Sequence, residues 1–330
     1  MARPRIAIVF TGGTISMLID PTSGAAVPTL DGAAILARSP GLAEHADLVP
    51  VDWGLVPASH LSFAQILDIA AVVRGQLARS DIDAAIVVQG TDVIEETAFA
   101  FDLLLDAPQP VIVVGAMRNA ADPGYEGPAN LRDAVLAAAT PGLRGQGTLV
   151  VMGGAILPAD DATKTHTSAY DTFAARNLGP LGTVSGEGAV IGRQRFGRRV
   201  LPRIPASAVE PIALVTATVA SDGAPLRWAI AGGARGIVVA ATGAGNTHPD
   251  LLAAAGEAMA AGIPVVLASR VPSGRVAPSY GFPGGGARWI AAGAIPAGYL
   301  TPVKARIALA LGMGAGLDDA GLRALFAEPS

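Results

Sequence analysis

Cysteine is absent from the 330 residues, and charged residues make up only 15% of them. The absence of cysteine excludes disulfides, thiolate nucleophiles and cysteine-ligated metals, and it fits a reducing compartment. With a formal net charge of −4, the chain offers no basic face for a run of phosphates, so we expect no nucleic-acid partner.

Long apolar runs are also missing. No stretch reaches about 18 uninterrupted apolar residues, which predicts no membrane span. The apolar run from Ile6 to Phe10 is too short for the apolar region of a signal peptide. We therefore expect a cytoplasmic protein.

Short β-branched runs alternate with amphipathic helical patterns along the chain, which indicates parallel sheets covered by helices. The fold class is α/β, with two domains, each a mainly parallel sheet flanked by helices. We predict an N-terminal catalytic domain over residues 1–195, a basic, proline-containing linker over 196–211 and a smaller C-terminal domain over 212–330. The predicted strands are Arg5–Phe10, Ala84–Val88, Val111–Val114, Thr148–Met152, Ile212–Ala217, Gly236–Ala240 and Pro264–Ala268.

One helix is predicted from a start signal and a periodic apolar face. Ser62 is the expected N-cap, and Phe63, Ile66, Leu67 and Ala70 fall on one side of the helix.

Open parallel sheets bind ligands at the carboxyl ends of their strands. The loop after the first strand, Thr11–Thr14, contains two glycines that present the Thr14 hydroxyl, although Thr14 could instead cap a helix. A second loop contains Gly90, Thr91 and Asp92, and its polar side chains could likewise be ordinary helix caps.

Lysine is rare: only Lys164 and Lys304 occur, although the chain has 23 basic residues in all. Lys164 lies in a polar stretch after the strand that ends near Met152. Because a lysine can lose its proton and an arginine cannot, Lys164 is a candidate base or proton relay, the alternative being a solvated loop cation.

No cofactor is predicted. The P-loop fingerprint is absent, and no G-x-G-x-x-G follows the first strand. The four histidines lack the spacing of metal ligands, so we expect no metal.

The candidate residues together supply two hydroxyls, one carboxylate and one amine, from Thr14, Thr91, Asp92 and Lys164. Such a set can provide a nucleophile, a base and an orienting group. This combination predicts acyl transfer.

Several motifs, in order, resemble those of the bacterial asparaginase/glutaminase family. They are TGGTIS, QGTDVIEETAF, VGAMRNAADPGYEGPANLRDAV, DATKTHTSAYDTF, GAGN and ASRVPSGRV. The resemblance implies an asparaginase-like pair of three-layer domains of flavodoxin or Rossmann type. It also implies a homotetramer built from intimate dimers, with active sites between subunits.

The resemblance implies that Thr14 attacks the side-chain amide of L-asparagine, releasing ammonia and then L-aspartate. Thr91, Asp92 and Lys164 match the second catalytic group, and Asp92 would also bind the substrate α-amino group. Backbone N–H groups near Thr91 and Ala116 would stabilise the oxyanion.

Further substrate-binding positions follow from the same resemblance. They are Ser59 and His60, which lie with Ala58 in the segment VPASHLSF, together with Gly90, Ala116, Asn246 and Tyr280. Asn246 matches a residue that the family lends across the dimer, and Tyr280 resembles the cytoplasmic type.

Two departures from the family pattern stand out. Gln89 stands where the family usually has histidine, and the loop after Thr14 lacks the expected tyrosine, the first tyrosine being Tyr125. Two alternatives therefore stay open: an amidohydrolase for glutamine or another amide, and a non-catalytic module that binds amino acids.

Overall fold

The structure is a computed structural model that describes residues 3–186 and 188–328. The chain forms two compact units, one ending at Arg198 and the other beginning at Arg199. Among the described residues, no helix combines the length and the apolar character needed to cross a membrane.

The first unit is built on a mixed, mainly parallel sheet. In the described residues its strand order is β12-β11-β8-β7-β6-β5-β1-β4. The five neighbouring strands β7, β6, β5, β1 and β4 are parallel to one another. Two small antiparallel pairs, β2 with β3 and β9 with β10, lie outside this sheet. The strands are β1 Arg5–Phe10, β2 Met17–Ile19, β3 Ala26–Pro28, β4 Asp47–Asp52, β5 Ala84–Val88, β6 Val111–Val114, β7 Thr148–Met152, β8 Ala155–Pro158, β9 Ala162–Lys164, β10 Phe173–Ala175, β11 Gly182–Ser185 and β12 Gly188–Ile191.

Four helices belong to this unit, and α2, α3 and α4 pack on the parallel strands. They are α1 Gly32–Ala37, α2 Phe63–Leu77, α3 Ile94–Leu104 and α4 Gly127–Ala138. β5, β6 and β7 are buried throughout, as expected for parallel strands covered on both faces.

The α2 helix begins as predicted, with a capping box between Ser62 and Gln65. The predicted apolar face needs a correction. Ile69 and Val73 are buried with Phe63 and Ile66, whereas Leu67 is only half-buried. Successive side chains of an α-helix are rotated by about 100° around its axis. The buried face is therefore the one shared by Phe63, Ile66, Ile69 and Val73, and Leu67 lies at its margin.

The carboxyl ends of the central strands lie level. The register pairs Phe10 of β1 with Val88 of β5, and Val88 with Val114 of β6. The three loops that follow these strands therefore begin side by side at one edge of the sheet.

A buried carboxylate anchors the end of the first unit. Asp102 is fully buried and forms ion pairs with Arg195 at 2.8 Å and Arg198 at 3.2 Å. Burial opposes the charge of Arg195, but Asp102 and Asp160 together raise the pKa of its guanidinium above its usual value. Arg195, the last residue of the predicted N-terminal domain, and Arg198, near the start of the predicted linker, thus both bind to the first unit, whose boundary lies at Arg198.

The second unit contains a four-stranded parallel sheet of order β13-β14-β15-β16 in the described residues. Its core contains Trp289, Leu226 and Leu251, all fully buried. Its elements are β13 Ile212–Thr216, α5 Ala224–Ala231, β14 Gly236–Ala241, α6 Pro249–Ala260, β15 Val265–Ser269, α7 Gly286–Ala291, β16 Ile295–Pro296, α8 Pro302–Gly314 and α9 Asp319–Phe326.

The α/β class and the two mainly parallel sheets are confirmed. The four strands predicted in the first unit have the bounds expected. In the second unit, β13 and β14 differ from the predicted strands by one residue at the C-terminal end, and β15 is shifted by one residue at both ends. The short antiparallel strands β8 to β12 were not predicted, because strands of three or four residues carry little periodic signal.

Candidate functional site

The loop after β1 is fastened to the neighbouring strand. Both the backbone N–H and the hydroxyl of Thr11 donate to the Val88 carbonyl, at 3.0 and 3.1 Å. Gly13 then adopts φ 88° and ψ −172°, a conformation accessible essentially to glycine alone. A Cβ on Gly13 would lie 2.0 Å from the Gly90 nitrogen. The loops after β1 and β5 are therefore in backbone contact.

Thr14 opens a 3-10 turn, Thr14–Ser16, directly after this contact. The turn has Gly13 as its N-cap and no side-chain capping bond, so Thr14 does not serve as a cap. Among residues 3–186 and 188–328, the half-buried Thr14 hydroxyl has no hydrogen-bond partner. Its oxygen is thus available to a ligand.

Thr91 and Asp92 lie in a second 3-10 turn, Thr91–Val93, which leads into α3. Neither this turn nor α3 has a side-chain cap, which argues against reading the two residues as ordinary helix caps. Thr91 is buried, whereas the Asp92 side chain is 67% exposed.

Lys164, at the end of β9, brings its amine to both of these side chains. Nζ lies 3.0 Å from Thr91 Oγ1 and 3.0 Å from Asp92 Oδ1. The lysine side chain is only 16% exposed. The three residues form a chain of hydroxyl, amine and carboxylate able to accept, hold and return a proton.

The loop after β6 lies beside Thr91 at the carboxyl edge of the sheet. A Cβ on Gly115 would lie 2.5 Å from the Gln89 carbonyl oxygen and 3.1 Å from Thr91 Cγ2. Ala116 follows, fully buried, and its backbone N–H donates no hydrogen bond within the described part of the chain. A free N–H beside a hydroxyl can stabilise a developing oxyanion.

The turn Ala58–His60 borders the same loops. Gly90 packs against Ala58, since a Cβ on Gly90 would lie 2.9 Å from the Ala58 Cβ. Ser59 and His60 are exposed next to this contact. Ala58 is buried and carries no polar group, so Ser59 and His60 are the members of this turn able to contact a polar ligand.

Asn246 and Tyr280 lie in the second unit. The Asn246 side-chain oxygen accepts from the Gly286 N–H at 3.2 Å. Tyr280 is 47% exposed, and its ring centroid is 5.6 Å from that of Phe282. The predicted substrate contacts of these two residues stay predictions.

Two residues near the site were not assigned a role from the sequence. The Tyr125 hydroxyl donates to the Ile15 carbonyl at 2.8 Å, and the Glu126 carboxylate accepts from the backbone N–H groups of Met117 and Arg118. Burial, and secondarily the Glu126 charge, raise the pKa of Tyr125 to about 12. The signal available in the sequence was a tyrosine–glutamate pair directly before the Gly127-Pro128 start of a helix.

No group of three or more histidine, aspartate or glutamate side chains in the described residues has the geometry of a metal site. The chemistry available at the edge of the sheet is that of hydroxyls, an amine, a carboxylate and backbone N–H groups.

The fold and the site define an α/β protein with a hydroxyl-and-lysine site at the carboxyl edge of a parallel sheet. Residues 5–196 match the family model described as asparaginase, N-terminal, and residues 211–326 match that of the glutaminase/asparaginase C-terminal domain. The chain belongs to the asparaginase family.

Curated relatives extend over most of the chain. It is 36% identical over 336 residues to a probable L-asparaginase of Deinococcus radiodurans, covering 98% of both chains. It is 29% identical to an L-asparaginase of Bacillus licheniformis, covering 85% of this chain and 86% of that protein. It is also 29% identical to a probable periplasmic L-asparaginase of Haemophilus influenzae, covering 94% and 88%.

The contact between Gly13 and Gly90 can be tested with a matched pair of variants. Gly24 also has a positive φ, but a Cβ there would meet nothing within 4 Å. We expect Gly24→Ala to cost about 1 kcal/mol of unfolding free energy, from backbone strain alone. Gly13→Ala adds a backbone clash and is expected to cost at least about 1 kcal/mol more. Urea unfolding of both variants measures the difference, and equal losses would contradict the close approach of the two loops.

Proposed function

We propose that the protein hydrolyses L-asparagine to L-aspartate and ammonia through an acyl-enzyme on Thr14. The observation that carries the proposal is the position of the Lys164 amine, 3.0 Å from both Thr91 and Asp92, in a loop cluster that also presents the Thr14 hydroxyl, which has no hydrogen-bond partner among the described residues. Relatives that cover nearly the whole chain bear the name L-asparaginase, which supports the choice of substrate.

In the first half-reaction, the Thr14 oxygen attacks the side-chain amide carbon of asparagine. The Thr14 proton passes through Thr91 to the Lys164 amine, which returns a proton to the leaving nitrogen. The carbon–nitrogen bond breaks, ammonia departs and an ester to Thr14 remains.

In the second half-reaction, water attacks the ester carbon and transfers its proton through the same pair. The carbon–oxygen bond to Thr14 breaks, the threonine hydroxyl is restored and aspartate leaves. Asp92 keeps the Lys164 amine directed at Thr91 and, with 67% of its side chain exposed, also binds the substrate α-amino group.

The negative charge on the substrate oxygen needs donors in both half-reactions. The Ala116 N–H and a backbone N–H near Thr91 are assigned this role, each such donor contributing about 3 kcal/mol in comparable sites. Gly90 is assigned to substrate binding, and Ser59 and His60 are assigned to the substrate carboxylate.

Thr14→Ala is expected to reduce ammonia release from asparagine by about 1000-fold or more, because the acyl-enzyme cannot form. Thr14→Ser, which keeps the hydroxyl, should retain measurable turnover. Thr183→Ala, which alters an exposed threonine on β11, is the control and should behave as the wild type.

Mass spectrometry of rapidly quenched reactions locates the acyl group. We expect the adduct on the peptide containing Thr14. An adduct on the peptide containing Thr91 would reverse the two threonine roles, and no ammonia from asparagine, with glutamine or another amide hydrolysed instead, would change the substrate.

Lys164→Met is expected to lower kcat by about 100- to 10,000-fold, the range of a lost general base. Lys164→Arg should be nearly as poor, because a guanidinium keeps the charge but cannot take up a proton. Since Thr91 and Lys164 act as one unit, adding Thr91→Val to Lys164→Met should cost little more.

Steady-state kinetics on asparagine measures these losses, with Arg74→Met as a control that removes an exposed cation on α2. Full activity in Lys164→Arg would contradict the role in proton transfer and leave Lys164 a role through its charge alone.

The assembly and the location belong to the same proposal. We infer a homotetramer of intimate dimers, in which Asn246 and Tyr280 contact the substrate and Asn246 does so across the dimer. Light scattering that reports a monomer at assay concentrations would contradict this assembly. A cytoplasmic location is proposed from the lack of cysteine, and fractionation of producing cells tests it, since one relative bears a periplasmic name.

A further inference from the structure

We propose that Tyr125 is a positioning residue for Thr14. The Tyr125 hydroxyl donates a 2.8 Å hydrogen bond to the backbone carbonyl of Ile15, the residue that follows Thr14. The bond joins positions 110 apart in the chain. The inference rests on the proposed function of Thr14 and adds to it a residue that sets the orientation of the nucleophile.

The carbonyl groups of the Thr14 turn show why this bond matters. The Gly13 carbonyl accepts from the Ser16 N–H at 2.9 Å, and the Thr14 carbonyl accepts from the Met17 N–H. The Ser16 carbonyl accepts from two backbone donors of the β3 region. The Ile15 carbonyl accepts from the Tyr125 side chain instead. Buried polar groups need partners, so loss of this hydroxyl would leave the turn free to rotate toward another donor.

The ring of Tyr125 lies directly against Gly127. A Cβ on Gly127 would lie 2.2 Å from both the hydroxyl oxygen and Cζ of Tyr125, so the absence of a side chain at 127 makes room for the ring. The neighbouring Glu126 carboxylate holds the backbone of Met117 and Arg118. Residues 125–127 therefore fix both the turn with the nucleophile and the loop that presents the Ala116 N–H.

The Tyr125 hydroxyl acts here as a donor and not as a base. Burial and the nearby Glu126 raise its pKa to about 12, so it keeps its proton in the neutral range. That proton is directed at the Ile15 carbonyl. The residue thus acts on the reaction through the backbone that directly follows Thr14.

Tyr125→Phe keeps the ring and removes the hydroxyl, and Tyr299→Phe is its matched control. Tyr299 is half-buried in the second unit, where its ring centroid lies 5.9 Å from the Arg275 guanidinium carbon. We expect Tyr125→Phe to lower kcat on asparagine by about 10- to 100-fold, the loss typical of a misplaced reacting group, with KM changed less than about twofold. Tyr299→Phe should keep both constants of the wild type.

Hydrogen exchange gives a readout that does not depend on turnover. We expect the Ser16 and Met17 amides to exchange about tenfold faster in Tyr125→Phe, because both N–H groups bond within the turn that Tyr125 holds. The same amides should be unchanged in Tyr299→Phe.

The two measurements separate the possible outcomes. Faster exchange together with a lower kcat supports the positioning role. A changed kcat without faster exchange, or faster exchange without a changed kcat, overturns it, and so does no change in either. If the wild type releases no ammonia from asparagine, the proposed function fails, and the exchange rates alone decide whether Tyr125 holds the turn.

Discussion

The site depends on the close approach of two glycines, Gly13 and Gly90. Because neither carries a side chain, the loops that follow two adjacent strands can lie in backbone contact. The ends of β1, β5 and β6 lie level, so the loops that follow them are neighbours, and the two glycines allow the backbones of two of these loops to touch. A side chain at Gly13 would force this contact apart and move Thr14 away from Thr91. The position of two hydroxyls therefore depends on two residues that contribute no chemistry of their own.

Lys164 places an amine that can exchange a proton beside one of these hydroxyls, that of Thr91. Its amine reaches a buried hydroxyl on one side and a mostly exposed carboxylate on the other. Water screens the Asp92 charge, so the pair is held by geometry more than by strong Coulombic attraction. Thr91 is sheltered from water, and its hydrogen bond to Lys164 has few competitors. This asymmetry directs the lysine toward the hydroxyl, which is the direction that proton transfer requires. It also gives a physical reason for lysine here in a chain whose other cations are nearly all arginines.

Much of this arrangement could be predicted from the sequence, because local rules govern it. Continuous apolar runs predicted β1, β5, β6 and β7, and the principle that loops at the carboxyl edge bind ligands directed attention to Thr14, Thr91 and Asp92. The placement of Lys164 depended on the short hairpin of β9 and β10, which has almost no periodic signal. Tyr125 was noted only as a tyrosine outside the expected loop. Its bond to Ile15 spans 110 positions and joins the residues before helix α4 to the 3-10 turn after β1, so no local pattern encodes it.

The residues assigned to bond breaking and those assigned to binding the substrate carboxylate differ in their exposure to solvent. The groups assigned to bond breaking are tied to the core: Thr14 follows a loop that Thr11 bonds to β5, Thr91 is buried and Ala116 is fully buried. The groups assigned to the substrate carboxylate, Ser59 and His60, are exposed on a turn whose buried residue, Ala58, packs against Gly90. A change of one methylene in a substrate alters binding by about 1–3 kcal/mol, an amount that one or two exposed contacts can supply. Preference between amides of different length can therefore change on this turn while the threonines and the lysine keep their positions.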